Sequence, residues 1–574
     1  MPAQRLVSVM SVLLWLAVAT VLSAQVATDK PLVETVQVSV VNVEVYVTGR
    51  DGTPLRGLKR DDFVLEEDGE EVVITNFYAS EAVLAMATPT AGTDKEAREL
   101  TAPHAALIPE EQGLTVVIFV DSLNTTVRQR RPVLEQLERF VAERLRPTDR
   151  TMVVSYDGSL KVRSPLSTDR AGLLAGLQAV GNEVTTADSL HRDRQDILGR
   201  MMNPINPNER KLSLVSPQCG TNDAYEPEAC QAVQAFAERL YRLNLRLVEA
   251  LKRSLDALAG VPGRKALVFV SAGIPPFPAE DLFLIGWLRP MRFANLSNDL
   301  GDVTVHANAG RVTFYTVNPR GDQELAGLDS GNELSRFLAE HTYQQALIQA
   351  DQADYSQRQK TLIDFAVGTG GRTLVASPGL GNTLGQLVED FGAFYSLGFS
   401  PSHFGDGSYH NLKVRVLVAG AKVRHREGYF DKTDAQRLAD RTAGALLQAP
   451  RSNTLSLRAA AEPVRKDRNK LVSTLTVTVP AGELTLVPSA DNLGEEGRVT
   501  IVITATDREG RTADAHQETF PIKVPTAALP AFLQGSTRYT FDILMRKGPH
   551  KVAVTVRDDV ALNEGTATLE IDAK

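Results

Sequence analysis

Leu114-Thr115-Val116-Val117-Ile118-Phe119-Val120, ended by Asp121, is a nearly continuous apolar run. A strand with one wet face alternates apolar and polar side chains, whereas a strand covered on both faces has no place for polar ones. The stretch therefore reads as a central strand of a parallel sheet. Downstream, Val133, Leu137, Phe140, Val141 and Leu145 recur at helical spacing and predict a helix over 132–145. Residues 151–156 predict the next strand, and a helix over 169–180 follows, capped by Thr168. Val233, Phe236, Leu240, Leu243, Leu247, Leu251 and Leu255 form the stripe of a long amphipathic helix, with further strands expected at 266–271, 312–317 and 372–375. Strands alternating with helices predict a doubly wound, mostly parallel α/β sheet over 114–400, interrupted by an irregular insertion at 182–231.

The flanks carry a different period. Val36, Val38 and Val40 alternate, then slip phase to Val41, Val43, Val45 and Val47, which predicts one long bulged strand, and Asp51-Gly52 and Asp68-Gly69 are hairpin signals. Residues 31–81 are read as a small N-terminal β domain, and 82–113, rich in Ala, Thr, Pro and Glu without a sustained period, as a linker. On the other side, 401–432 reads as a β extension, 433–450 as a connecting helix and 451–574 as a C-terminal immunoglobulin-like or fibronectin-like β-sandwich.

Composition narrows the function classes. With 43% hydrophobic and 23% charged residues and a formal net charge of −8, the chain has the balance of an ordinary globular protein and no electrostatic footprint for nucleic acid. Arg5, the apolar stretch from Leu6 to Leu22 and Ser23-Ala24 make 1–24 a secretory signal pattern. A retained membrane helix is the competing reading, but no basic stop-transfer cluster follows. No other window approaches the ~18 apolar residues of a span, so an exported chain is expected, periplasmic, cell-surface or secreted, with no membrane span after cleavage. Cys219 and Cys230 lie close together in a polar segment and are expected to pair in an oxidising compartment. A metal site there would need further ligands, and the nearest histidine in sequence is His191.

Ligand sites of open parallel sheets lie beyond the carboxyl ends of strands, which singles out Asp121-Ser122-Leu123-Asn124-Thr125. This strand and loop, then Ser167-Thr168-Asp169-Arg170 before a helix and Gly263-Arg264-Lys265 before a strand, resemble a von Willebrand factor A domain. More closely, the chain resembles the VWFA-related family described from Acidobacteria, exported proteins of largely unknown role. The resemblance is carried by Val45 to Gly69, Phe119 to Thr125, Gly263 to Gly273, and Tyr409-His410-Asn411-Leu412-Lys413-Val414 running on to Arg426-Glu427-Gly428-Tyr429-Phe430. It implies a partner-binding face at Asp121, Ser122, Asn124, Thr125 and Thr168. In cation-binding members the first loop is Asp-x-Ser-x-Ser, a second loop adds Thr, and a later strand ends in Thr-Asp-Gly, which suits the near-octahedral oxygen shell of Mg²⁺. Asp121 and Thr125 match, and Thr168 is the candidate for the second loop. Leu123 stands where a hydroxyl belongs, and Ser271-Ala272-Gly273 replaces Thr-Asp-Gly. The resemblance thus leaves two readings of this loop: a divalent-cation site of Asp121, Thr125 and Thr168, or a purely structural capped turn, which the loss of an anionic ligand favours.

The function expected is protein binding, for adhesion or assembly, with a protein partner and no catalysis. Neither Gly-x-Ser-x-Gly nor His-Glu-x-x-His occurs. Two alternatives stand beside it: a hydrolase drawing on Asp188, His191 and Asp193 of the insertion, and a structural component of the envelope. Asp507-Arg508-Glu509-Gly510 and Arg557-Asp558-Asp559 are calcium-loop fragments without a full ligand set, read as solvated strand ends.

Overall fold

The computed structural model describes residues 40–80, 114–202, 227–285, 294–320, 344–376, 387, 390–448, 453–468, 470–490, 493–508 and 510–574. The chain divides into Met1–Gln37, which lies outside them, and Val38–Lys574. The expected linker 82–113, the alternation at Val36 and Val38, and Cys219 with its expected pairing also lie outside the described residues.

Four strands open the described chain: β1 (Val41–Thr48), β2 (Phe63–Glu67), β3 (Glu70–Val72) and β4 (Asn76–Ala79). The α/β region supplies β5 (Thr115–Asp121), α1 (Val127–Glu143), β6 (Arg150–Tyr156), β7 (Leu160–Ser167), α2 (Arg170–Gly181), α3 (Thr186–Met202), α4 (Pro227–Ala259), β8 (Lys265–Val270), α5 (Glu280–Ile285), α6 (Ser297–Ala309), β9 (Val312–Asn318), α7 (Gln344–Gly368) and β10 (Arg372–Val375). The sheet order is β10-β9-β8-β5-β6-β7, parallel throughout except for β7, which pairs antiparallel with β6 at the edge.

All seven residues of β5 are buried, as its unbroken apolar run requires. Val116, Ile118 and Val120 pack on one face with Val133 and Leu137 of α1 and Leu173 and Leu177 of α2. Val117 and Phe119 pack on the other with Leu247 and Leu251 of α4, Val303 of α6 and Phe365 of α7. The period-2 alternation of the strand thus sends neighbouring side chains into two separate cores, which makes the sheet doubly covered.

Three local readings change. Helix α1 begins before Pro132 because Thr126 and Gln129 form a capping box that satisfies its first N–H groups. Helix α2 is capped by Asp169, whose Oδ1 accepts from Ala171 N at 3.0 Å, and not by Thr168. The insertion expected to be irregular contains α3, started by Thr185, whose Oγ1 accepts from Asp188 N at 3.2 Å, and seated through Leu190, Ile197 and Leu198.

The strands on either side of the α/β region belong together. After it come β11 (Tyr395–Phe399), β12 (Tyr409–Val416), β13 (Lys422–His425) and β14 (Gly428–Phe430). They complete two four-stranded sheets, β13-β1-β11-β4 and β14-β12-β2-β3, around a core of Val41, Val43, Val45, Leu65, Leu397, Leu412 and Val414. The expected N-terminal domain and the expected 401–432 extension are thus one sandwich into which the α/β region is inserted. Asp68 and Gly69, both at positive φ, close β2 onto β3 as their hairpin signal predicts.

Helix α8 (Asp434–Leu447) leads to a second sandwich of β15 (Arg458–Ala461), β16 (Arg465–Asp467), β17 (Lys470–Pro480), β18 (Val487–Pro488), β19 (Gly494–Asp507), β20 (His516–Pro525), β21 (Ser536–Met545), β22 (Gly548–Asp558) and β23 (Glu564–Ala573). Strands β15 and β21 flank β17 in one sheet, and the other runs β20-β19-β22-β23, with Leu475, Val477, Ile501 and Val554 in the core between them. Asp558 is not a solvated strand end: it is 1% exposed, with its carboxylate accepting from Thr485 N and Val560 N.

The end of α4 meets α8 at Gly260, where a Cβ would stand 1.7 Å from Asp440 O. Gly301, inside α6, has nothing within 4 Å of the same position. Gly260→Ala is expected to destabilise the protein by about 1–3 kcal/mol through this overlap, and Gly301→Ala to stabilise it by about 0.4–1 kcal/mol. Urea denaturation midpoints of the two variants check the opposite signs.

Candidate functional site

In the sheet order, the chain proceeds from β5 to β6 in one direction and from β8 to β9 in the other. The carboxyl ends of β5 and β8 therefore frame the switch point, where open α/β sheets hold their ligands. Asp121 ends β5 and Ser271 follows β8.

Asp121 is 0% exposed, and its carboxylate is closed by donors. Oδ1 accepts from Leu123 N at 3.0 Å and Asn124 N at 3.1 Å, and Oδ2 from Asn124 Nδ2 at 2.9 Å and Ser271 Oγ at 2.7 Å. Burial pushes this carboxyl above its ordinary range, although all four bonds act to lower it. Asn124 also donates to Asn244 Oδ1 of α4 at 2.9 Å. Thr125, fully buried, accepts from Ala272 N at 3.1 Å, and Ser122 Oγ accepts from Nη1 of the buried Arg130 at 2.8 Å. Leu123 is 0% exposed and packs in the core with Val117 and Phe119.

Of the expected partner-binding residues, Asp121, Ser122 and Thr125 are thus buried and hold the loop, while Asn124 is partly exposed. Thr168 is not with them. Strand β7 runs back along β6, with Leu160 opposite Tyr156 and Ser167 opposite Thr151. This places Thr168, exposed, at the amino end of the sheet, the end opposite Asp121. The stretch beside the first loop is instead Thr185-Thr186-Ala187: Ala187 N approaches Ser122 O at 3.5 Å, and Thr186 N donates to the Asp157 carboxylate at 3.1 Å. The spacing of Thr185 and Asp188 is a capping-box signal that pointed to an ordered turn here. Asn244, a polar residue inside the apolar stripe of α4, was the other legible signal.

This donor set does not fit an octahedral cation. Asp121 has no lone pair left unengaged, Leu123 offers no oxygen, and Ala272 offers no carboxylate. What stands over the loop is a guanidinium. Arg358 of α7 donates from Nη1 to Gly273 O at 2.9 Å, with Asn124 Oδ1 at 3.4 Å, and from Nε to Asp354. Gly273, at φ +93°, is required there, since a Cβ would meet Arg358 O at 2.5 Å. Arg358 closes a network in which Arg194 pairs with Asp281 and Asp351, and Arg320 with Asp351 and Asp354. Three guanidinium groups thus balance three carboxylates, and burial still holds Asp351 up at about 6 beside Arg320 and Arg194.

The two carboxylates of the trio considered for hydrolysis have other partners. Asp188 accepts from Thr185 and from Val127 N, and Asp193 pairs with Arg239 at 2.7 Å.

A second set of titratable groups lies in the first sandwich, where the His403 and His410 rings stack 3.8 Å apart at 14°. Glu67 stands close enough to form a three-ligand set with both rings, and Asp406 and Asp431 a second one with His403. Parallel rings cannot both aim an in-plane nitrogen at one ion, and both nitrogens of His410 are already on carboxylates, Asp68 at 2.8 Å and Asp406 at 3.1 Å. The set reads as a clamp between the β2–β3 turn and the loop before β12.

No protein-family model matches the chain, and no curated protein matches it. Among solved structures it is similar to the vWF domain of the type V pili tip protein Mfa5 from Porphyromonas gingivalis, at 11% identity over 49% of this chain and 95% of that one, TM-score 0.20. It is also similar to BatB from Bacteroides thetaiotaomicron, at 10% identity over 49% and 97%, TM-score 0.19. A three-domain N-terminal fragment of Mfa5 aligns at 9% identity over 94% and 78%, TM-score 0.22. The fold described above rests on this chain's own strand order and register.

Two predictions follow from these geometries. Asp121→Asn keeps the shape but turns acceptors into a donor facing donors, so a loss of about 2–4 kcal/mol is expected, and Leu123→Ser is expected to lose about 2–4 kcal/mol of core packing; chemical denaturation reads both. For His410, burial acts to lower the pKa, but the bonds to Asp68 and Asp406 raise it above 6.5 overall. Its stabilisation is therefore complete below pH 6.5 and lost as pH rises through the raised value. His410→Gln should flatten the pH dependence of the melting temperature in that window, and an unchanged profile would count against the clamp.

Proposed function

We propose that this chain is an exported protein-binding module, serving adhesion or assembly rather than catalysis, which engages its partner at the carboxyl end of the six-stranded sheet without a metal in the Asp121 loop. Asp121 at the switch point of this sheet order supports a von Willebrand factor A-type reading of the α/β region and the resemblance to the VWFA-related family. The strand sets β15-β17-β21 and β20-β19-β22-β23 support an immunoglobulin-like second sandwich. The pattern of Met1 to Ala24 supports export. Among the described residues no helix is long and apolar enough to cross a membrane.

The observation that carries the reading is the replacement of a cation shell by Arg358. Its guanidinium is fixed over Asn124 and Gly273, side chain 17% exposed, beside the loop that carries Asp121. A guanidinium offers an acidic side chain charge-assisted N–H donors, which a spherical ion does not. Phe277, 39% exposed in the loop after β8, adds an aromatic anchor of the kind that dominates protein interfaces.

A photo-crosslinker at Phe277 should capture a discrete partner in producing cells, and one at Thr168, on the opposite end, should not. Phe277→Ser should weaken that complex at least about tenfold, the loss of a modest anchor, with the melting temperature unchanged. Saturating Mg²⁺ or Mn²⁺ should leave its affinity as it was. Equal capture from Thr168, or a complex that needs Mg²⁺, would overturn the proposal.

A further inference from the structure

At the amino end of the sheet, opposite Asp121, the first sandwich and the α/β region leave two adjoining hollows, open to solvent and sharing Glu44, Tyr46, Arg311 and Thr313. Arg264 and Lys265 enter one from the start of β8, Arg426 enters the other from the turn between β13 and β14, and Arg311, before β9, borders both. Four cationic side chains thus face one carboxylate, Glu44. Among the described residues none of the four makes an ion pair. Arg264 donates to Phe391 O at 2.7 Å and Tyr46 Oη at 3.2 Å, Lys265 to Val261 O at 2.7 Å, and Arg426 Nη2 to Asn42 O at 2.7 Å.

Among the described residues two buried donors along these hollows have no partner: the hydroxyl of Tyr315, 0% exposed, in the first, and Nε of Arg426, a residue 5% exposed, in the second. Buried polar groups are almost always hydrogen-bonded, and a pair of orphan donors beside unpaired cations asks for an acceptor that carries negative charge. We propose that this cleft binds a small oxyanion, a phosphate, sulfate or carboxylate group, between Arg426 and Arg311, with Tyr315, Arg264 and Lys265 along the adjoining hollow.

The electrostatics agree. Burial, and then the charge of Arg311, hold Lys265 down at about 7. Burial also brings Arg426 down to about 10, with Arg311 again adding to the effect. Both shifts are those of cations crowded together away from water, and an anion among them would reverse the repulsive part. Glu44 acts the opposite way, favouring the charged forms of Arg264, Lys265 and Arg426. It therefore competes with any incoming anion for the same charges. Because the cleft joins elements of the sandwich to elements of the sheet, an anion there would also tie the two together.

The test is calorimetric titration of the purified protein with inorganic phosphate, sulfate and acetate in turn, with ionic strength held by chloride. Saturable binding of phosphate or sulfate but not acetate identifies a tetrahedral anion, and binding of acetate identifies a carboxylate; either supports the site. Arg311→Gln, an exposed substitution, should weaken binding at least about tenfold, as loss of a charge-assisted contact does, without moving the melting temperature in chloride. Glu44→Gln should tighten it. No saturable binding of any of the three anions, or binding that both variants leave unchanged, overturns the proposal.

Discussion

A carboxylate can be taken wholly out of water only if every lone pair finds a donor, and this condition, met at Asp121, organises the centre of the molecule. The loop after β5 must turn tightly so that Leu123 N and Asn124 N point back at Oδ1. Ser271 must stand at the end of β8 to reach Oδ2 across the crevice between the two strands. Asn124 must turn its amide inward, which in turn requires Asn244 on α4. One buried carboxyl group thereby fixes the relative positions of two strands, a loop and a helix, and it is available to nothing else.

The two ends of the same sheet handle charge in opposite ways. At the carboxyl end, Arg194, Arg320 and Arg358 interleave with Asp281, Asp351 and Asp354, so charges can sit between 4% and 19% exposed without excess of either sign. Such a network gives little net stability for its desolvation, but it holds long side chains in one geometry, which suits the partner surface proposed around Arg358. At the amino end the cations around Glu44 have carbonyl and phenol oxygens for company and, among the described residues, no carboxylate bonded to them. Balance at one end and imbalance at the other, within one sheet, mark the second as a place that is finished by something from outside.

The legible part of the fold was the part dictated by burial along a single element. The run from Leu114 to Val120 carried its two-faced burial in its composition, and the stripe of α4 carried its period. What spacing along the chain could not carry was pairing at a distance: β1 lies against β11 and β2 against β12, more than three hundred positions away, so two half-sandwiches looked like two small β regions. The site divided in the same manner. Asp121 and Asn124 stood where a strand end predicted them, but whether a Thr lies at the carboxyl or the amino end depends on the reversal at β7, and Thr168 was misplaced by that one antiparallel strand. Arg358 was illegible because its role exists only once α7 has crossed back over the switch point.

The interleaved sandwich also decides which end of the sheet can be a binding face. The α/β region leaves the sandwich after Ser80 and returns at Phe394, and these two residues are hydrogen-bonded to each other, Ser80 N to Phe394 O at 3.0 Å and Phe394 N to Ser80 Oγ at 3.0 Å. Arg264, at the amino end of β8, lies 3.8 Å over the Phe394 ring, so exit, re-entry and sheet meet at one place. An inserted domain held by adjacent ends at the amino edge of its sheet has its opposite edge directed away from its anchor. The carboxyl ends of β5 and β8, with Asn124, Phe277 and Arg358 around them, occupy that edge, and a partner can approach there without displacing the sandwich that holds the sheet.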